Sequence, residues 1–110
     1  MNKVILQMLN EDMVSHGWVS ECVKNDRQDG TAFDAQIKNT LSDLLSSGLV
    51  EIGNARIANP QYVEFVAWRG TIVERVSRAM NAVRGASNTD KEFAYWLALR
   101  QNVDRFEEVK

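Results

Sequence analysis

The sequence predicts an α+β domain in which three helices are followed by a β-hairpin and then by two further helices. Two observations point to this class. Apolar residues recur every three or four positions in several segments, as on one side of a helix, whereas residues 62–68 are rich in β-branched and aromatic side chains. The chain has 110 residues, of which 45% are hydrophobic, enough for one core. We therefore expect residues 1–110 to form a single domain.

The first two helices are predicted before residue 25. Apolar side chains share one side of a helix that runs from residue 3 to about residue 15, and the segment 15–17 ends it. These side chains are Val4, Ile5, Met8, Leu9 and Met13. Ser20 is then placed to cap a short second helix, which the polar residues 25–30 interrupt.

The third helix has the clearest apolar pattern in the first half of the chain. Thr31 and Asp34 approximate a capping box at its start, and Gly48 supplies a left-handed residue at its end. The apolar positions between them fall on one side of about four helical turns. They are Phe33, Ile37, Leu41, Leu44 and Leu45.

Strands are expected after this helix. Residues 49–52 and 55–58 are predicted to form a hairpin with a tight turn at Gly53 and Asn54. Residues 62–68 favour a third strand, because β-branched and aromatic side chains alternate there. The alternative is a helix that begins at Asn59 with Pro60 in its first position.

Two C-terminal helices complete the predicted domain, at residues 71–84 and 89–107. Each begins with threonine followed three positions later by glutamate, the pattern of a capping box. The second of these helices would be apolar on more than one side, so it must be enclosed by other elements or meet a partner. Tyr95, Leu99 and Phe106 are its candidate interface residues.

Residues 3 to about 68 resemble the winged-helix superfamily. The resemblance lies in the segment "DLLSSGLVEIG", where a leucine-rich third helix ends at a glycine and a strand follows. The segments "YVEFVAWRGT" and "EFAYWLALRQN" are similar to small uncharacterised bacterial proteins. The superfamily resemblance implies DNA binding through the third helix, where Gln36, Lys38 and Asn39 would be the contacting residues.

Local charge opposes this DNA-binding interpretation. Residues 32–58 contain two cations, Lys38 and Arg56, against three acidic residues. Binding to DNA requires cations that neutralise phosphates, because counterion release supplies most of the affinity. The surface expected to contact DNA is therefore slightly acidic.

Positive charge collects instead between residues 69 and 84, where Glu74 is the only acidic residue. The arginines of this segment are Arg69, Arg75, Arg78 and Arg84. They are candidates for binding an anion, a nucleic acid or an acidic protein, since guanidinium groups suit phosphate and carboxylate oxygens. The alternative is structural: Arg78 would pair with Glu74 one turn away, and the late arginines would favour the helix dipole.

Catalytic and metal chemistry has little support in the sequence. The one cysteine and one histidine are too few for a disulfide or for a Cys/His zinc site. We expect Cys22 to pack as a small apolar residue and His16 to be a solvated loop residue. No nucleophile motif accompanies His16, and the paired acids at 11–12 and 107–108 diverge on a helix. We therefore expect no enzyme activity, no cofactor and no metal.

Composition also limits the cellular setting. The apolar stretches are too short to cross a bilayer, and the N-terminal residues lack the apolar core of a signal peptide. These features indicate a cytoplasmic protein without a membrane partner. Taken with the wide apolar C-terminal segment, they favour a non-enzymatic protein-interaction module that meets a protein partner or forms a homodimer. The alternative is a winged-helix transcriptional regulator that binds DNA.

Overall fold

Four helices pack beside one five-stranded mixed sheet in the computed structural model, which describes residues 3–25, 33–87 and 89–107. The helices are α1 (Lys3–Leu9), α2 (His16–Asn25), α3 (Phe33–Ser46) and α4 (Ile72–Gly85). The strands are β1 (Val14–Ser15), β2 (Val50–Asn59), β3 (Tyr62–Ala67), β4 (Trp96–Leu99) and β5 (Arg105–Phe106). Short 3₁₀ turns occupy Lys91–Phe93 and Arg100–Asn102. The α+β class is thus confirmed.

The sheet order is β1-β4-β2-β3-β5. Neighbouring strands are antiparallel except β3 and β5, which run parallel. Because β2 and β3 lie between β4 and β5, the chain between Leu99 and Arg105 must pass across the sheet. Val103, in this connection, packs on a small second core formed by Phe65, Ala67 and Ala98.

The main core lies where the helices meet the sheet. Ile37, Leu41 and Leu44 of α3 are almost fully buried, so the predicted apolar side of this helix is confirmed. Gly48 has a φ of 77°, the left-handed conformation expected where a helix ends in glycine. The predicted cap, Thr31, lies outside the described residues.

The first helix is shorter than the sequence predicts. It ends at Leu9, where a turn follows, and Val14 and Ser15 then form β1, which pairs with Trp96 and Leu97 of β4. The second helix begins at His16 rather than at Ser20. The spacing of Met13 had suggested a longer helix, but pairing with a strand about 80 residues away determines the local structure here.

β2 continues straight through the predicted turn at Gly53 and Asn54, and that prediction is wrong. The chain reverses after Asn59 instead, where β2 meets β3. A Cβ atom on Gly53 would lie 1.9 Å from the carbonyl oxygen of Val66. Glycine is therefore needed for the close approach of β3, not for a turn. The predicted strand at 62–68 is confirmed as Tyr62–Ala67, and the alternative helix from Pro60 is wrong.

The two predicted C-terminal helices have different outcomes. α4 is confirmed, including its capping box between Thr71 and Glu74. The helix predicted at 89–107 is wrong, because this segment forms a 3₁₀ turn, β4, a second 3₁₀ turn and β5. The two faces of β4 pack on different cores, Leu97 in the main core and Ala98 in the second, so its continuous apolar residues are buried from two sides.

Candidate functional site

An open cleft with exposed aromatic side chains lies between α2, the beginning of α3 and the first 3₁₀ turn. Its volume is about 510 Å³. Trp18 of α2 is 59% exposed and Phe93 of the 3₁₀ turn is 58% exposed. Phe33 of α3 also lines the cleft. We call this feature the aromatic cleft. Exposed apolar side chains that are grouped in one patch mark interaction sites, whereas isolated ones do not.

The position of Phe93 is set by the packing of the 3₁₀ turn. Its ring stacks on Trp96, with 5.7 Å between ring centroids and 16° between the ring planes. On the other side of the turn, Glu92 packs against Gly17 of α2, where a Cβ atom would lie 3.2 Å from the glutamate Cγ. The turn is thus held close to α2, which brings Phe93 to the same cleft as Trp18.

A buried histidine and tyrosine lie beneath the aromatic cleft. His16 is 7% exposed and Tyr95 is inaccessible to solvent. The Nδ1 atom of His16 lies 2.8 Å from the Tyr95 hydroxyl, and the backbone N–H of His16 donates to the Tyr95 carbonyl at 3.2 Å. The two rings meet edge to face at 5.1 Å. The prediction that His16 is a solvated loop residue is therefore wrong.

Burial determines the protonation of this pair. It lowers the pKa of His16 below its ordinary value, since the charged imidazole is poorly solvated there; Asp34 opposes the effect and Lys91 adds to it. Burial also raises the pKa of Tyr95 far above the ordinary range. Both groups are thus neutral near pH 7, and a hydrogen bond joins the Tyr95 hydroxyl to His16 Nδ1. The pair supports the cleft from below.

Charges of both signs surround the aromatic cleft. Glu21 and Lys24 of α2 form an exposed ion pair at 3.8 Å, and Lys91 and Glu92 belong to the 3₁₀ turn. Each side of the cleft therefore contributes one acid and one base. This balance differs from the cationic surface that nucleic acids require.

The predicted interface residues do not come together. Tyr95 is buried and unavailable to a partner. Leu99 is half-buried at the end of β4, and Phe106 is exposed on β5, which two intervening strands separate from β4. The sequence placed them on one helix, and that helix is absent from residues 89–107. Trp18 was missed, although its position outside the buried stripe of Val19 and Val23 could have identified it.

All four predicted anion-binding arginines form hydrogen bonds or ion pairs with groups of this chain. Arg75 pairs with Glu51 at 2.9 Å in a largely buried position. The guanidinium of Arg78 donates twice to the Glu107 carboxylate, at 2.7 and 3.2 Å, and lies 4.2 Å over the ring of Trp68. Arg69 donates to the Glu107 carbonyl at 2.8 Å. The fourth, at position 84, is exposed and bonds Asn81.

These contacts give the arginines of α4 a structural role. Glu51 lies 24 residues before its partner Arg75, and Glu107 lies 29 residues after its partner Arg78. Such distant partners leave no signal in local spacing. The predicted pair of Arg78 with Glu74 is replaced, because Glu74 completes the capping box with Thr71.

The predicted DNA-contacting residues of α3 are only partly available. Lys38 and Asn39 are exposed. Gln36 is half-buried, and its Oε1 atom is buried without a hydrogen-bond partner among the described residues. Its amide therefore does not face solvent in the way that contact with a base edge requires.

Neither a cluster of metal ligands nor a membrane-spanning helix is found in the part of the chain that the structure describes. No three His, Cys, Asp or Glu side chains within it are grouped closely enough to hold a metal ion. None of the helices in residues 3–25, 33–87 and 89–107 is both long and apolar enough to cross a bilayer. Comparisons of the chain with protein-family models, curated proteins and solved structures each found no match.

Proposed function

We propose that this chain is a non-enzymatic protein-interaction module whose contact surface is the aromatic cleft, and that a second copy of the chain binds there. One observation carries the proposal: Trp18 and Phe93, both nearly 60% exposed, line the same cleft from two different elements. Aromatic side chains at the centre of an interface supply much of its binding energy. An interaction surface is thus the simplest role for this feature.

The charges around the cleft favour a second copy as the occupant. A two-fold interface brings the same surface together from both protomers, so it must be self-complementary. Glu21 and Lys24 on one side and Lys91 and Glu92 on the other provide both signs of charge. Rotation by two-fold symmetry can therefore oppose acids to bases around the buried aromatic rings.

The test is the mass of the purified protein, measured by light scattering over a concentration series. We expect a dimer for the natural chain and a monomer for Trp18→Glu, because a buried charge would oppose association. Val73→Glu is the matched control, since Val73 is 75% exposed on α4, away from the cleft. Circular dichroism must show that both variants remain folded. A natural chain that is monomeric throughout, or a control that dissociates equally, would refute the proposal.

DNA binding by a winged-helix-like regulator is a second candidate, favoured by a specific observation. The three helices α1, α2 and α3 precede the β2/β3 hairpin, and hairpin residues 56–63 are all exposed. This arrangement supports the winged-helix resemblance of residues 3 to about 68. It ranks second because the exposed Lys38 on α3 lies between Asp34 and Asp43 in the sequence.

The two candidates are separated by titrating labelled duplex DNA with the protein across a salt series and following fluorescence anisotropy. A regulator should bind with an affinity that falls steeply with salt, and Lys38→Glu together with Arg56→Glu should abolish the signal. Lys24→Glu, at the aromatic cleft, is the control for a general charge effect. If DNA binding is absent while the dimer is present, the DNA candidate is eliminated.

A further inference from the structure

A second surface, on a different part of the molecule, combines basic side chains with a buried and unpartnered donor. Side chains alternate along a strand, so Ile52, Asn54 and Arg56 of β2 lie on the same side of the sheet. Ile52 packs in the main core. Asn54 and Arg56 lie further along the strand and line a groove of about 740 Å³, which we call the basic groove. Its other lining residues are Ala55, Val66, Trp68, Arg105, Phe106 and Glu107.

Strand pairing brings the residues of the basic groove together. Asn54 lies opposite Val66 of β3, and Val66 in turn lies opposite Arg105 of β5. Arg56 is the next residue on the same side of β2, two positions after Asn54, and lies opposite Glu64. Two guanidinium groups from different strands therefore flank the apolar side chain of Val66, in the same groove as Trp68.

The two arginines differ in their partners. Arg105 donates to a Glu64 carboxylate oxygen at 2.7 Å, which holds its guanidinium in place. Arg56 is exposed, and no acidic group within the described ranges lies within 4 Å of its guanidinium. Glu107 also lines the groove, and its carboxylate is paired with Arg78, which lies over the Trp68 ring. The basic groove thus keeps the uncompensated charge of Arg56.

Trp68 provides an independent indication of a ligand. Its side chain lines the groove and is 3% exposed, yet its Nε1 atom is buried without a hydrogen-bond partner among the described residues. A buried N–H without an acceptor is unfavourable and uncommon in folded proteins. The ring also packs in the main core, so an acceptor oxygen brought by a ligand would satisfy the N–H from the groove side.

We infer that the basic groove binds a small organic anion, in which a carboxylate or phosphate group is attached to a flat apolar body. The guanidinium groups of Arg56 and Arg105 bind the anionic oxygens, for which their planar donors are suited. Val66 and the partly exposed ring of Phe106 contact the apolar part. The Trp68 indole donates to a remaining oxygen.

The test follows the indole N–H signals of the three tryptophans by two-dimensional ¹H–¹⁵N NMR. Trp18→Phe and Trp96→Phe identify the Trp68 signal by elimination, without altering the groove. Phenyl phosphate and benzoate are the anionic probes, and benzamide is their uncharged counterpart. We expect both anions, but not benzamide, to shift the Trp68 signal more than the other two. The tighter of the two anions identifies the ligand as a phosphate or a carboxylate.

Matched arginine variants complete the test. Arg56→Gln should weaken binding of the preferred anion by about tenfold, the effect of losing one charge-assisted contact. Arg84→Gln removes an exposed arginine outside the groove and should leave the affinity unchanged. Three results would overturn the inference. They are a Trp68 shift with benzamide equal to that with the anions, an equal loss of affinity in Arg56→Gln and Arg84→Gln, and a Trp68 signal that neither anion shifts. None of these results depends on whether the aromatic cleft binds a second copy.

Discussion

Residues 71–85 and 89–107 begin alike, each with threonine followed three positions later by glutamate, and then differ completely. In the first, the Thr71 hydroxyl accepts from the Glu74 N–H at 3.1 Å, and the Glu74 carboxylate accepts from the Thr71 N–H at 2.9 Å. Fourteen helical residues follow. In the second, the Thr89 hydroxyl pairs with that of Ser87 at 3.1 Å, and a three-residue 3₁₀ turn follows.

The difference lies in how apolar residues are distributed after the cap. In α4 the buried residues recur about once per turn, at Val76, Ala79 and Met80, so one side of the helix faces the core. Residues 93–99 are apolar without interruption. Such a run suits a strand enclosed from both sides, and Leu97 and Ala98 indeed enter separate cores. A cap starts a helix only where the following pattern can support one.

The largest expected effect concerns how α4 is anchored to the sheet. Arg75→Met should lower the free energy of unfolding by about 3–5 kcal/mol, because it leaves Glu51 largely buried without its partner. Arg78→Met breaks a half-exposed pair and a contact with Trp68, so about 1 kcal/mol is expected. Urea unfolding measures both. The double variant Arg75→Met, Glu51→Leu should recover most of the loss; equal effects of the two single variants would contradict this account.

The second effect tests β4 as a central strand. Leu97→Ala should lower the free energy of unfolding by about 2–5 kcal/mol, since it opens a cavity at a fully buried position between β1 and β2. Val73→Ala, at an exposed position of α4, should change it by less than about 0.5 kcal/mol. Thermal or urea unfolding provides the values. Similar small losses at both positions would mean that residue 97 is not enclosed.

The third effect is a pH dependence that arises where the first residue of α2, His16, contacts Tyr95, just before β4. The pKa of His16 is lower in the folded chain than its ordinary value of 6.5, because burial disfavours the imidazolium. As the pH falls through about 6.5, the unfolded chain binds a proton at His16 that the folded chain does not, so the free energy of unfolding decreases. Above this pH neither state is protonated at His16, and the stability is fully retained. Urea unfolding of the natural chain and of His16→Gln separates this contribution. A similar slope in both would exclude His16 as its source.

The smallest effect compares the two threonines directly. Thr71→Ala should destabilise the chain by about 1 kcal/mol, because α4 loses an N-terminal hydrogen bond. Thr89→Ala should have an effect below about 0.5 kcal/mol, since its exposed hydroxyl caps no α-helix. Thermal unfolding under identical conditions resolves the difference. A larger loss at position 89 would reverse the comparison.

Local patterns were sufficient for part of the fold. The apolar stripe of α3, the capping box of α4 and the alternation in β3 each report on neighbours within a few residues. The candidate site depends on pairs that are far apart in sequence, such as His16 with Tyr95, which are 79 residues apart. No local spacing predicts such a pair. The apolar run at 93–99 suits an enclosed strand, but after the Thr89 motif it is interpreted from the sequence as a helix that is apolar on more than one side.

The strand order also sets a sequence of events during folding. β4 lies in the middle of the sheet, yet the ribosome synthesises it well after its two neighbours, β1 and β2. The helices and the β2/β3 hairpin rely on local contacts and can form early, whereas closure by β4 is a long-range step and hence slow. Until then, two strand edges stay open to other chains. We expect this waiting period to be when the polypeptide is most prone to aggregate and most dependent on chaperones.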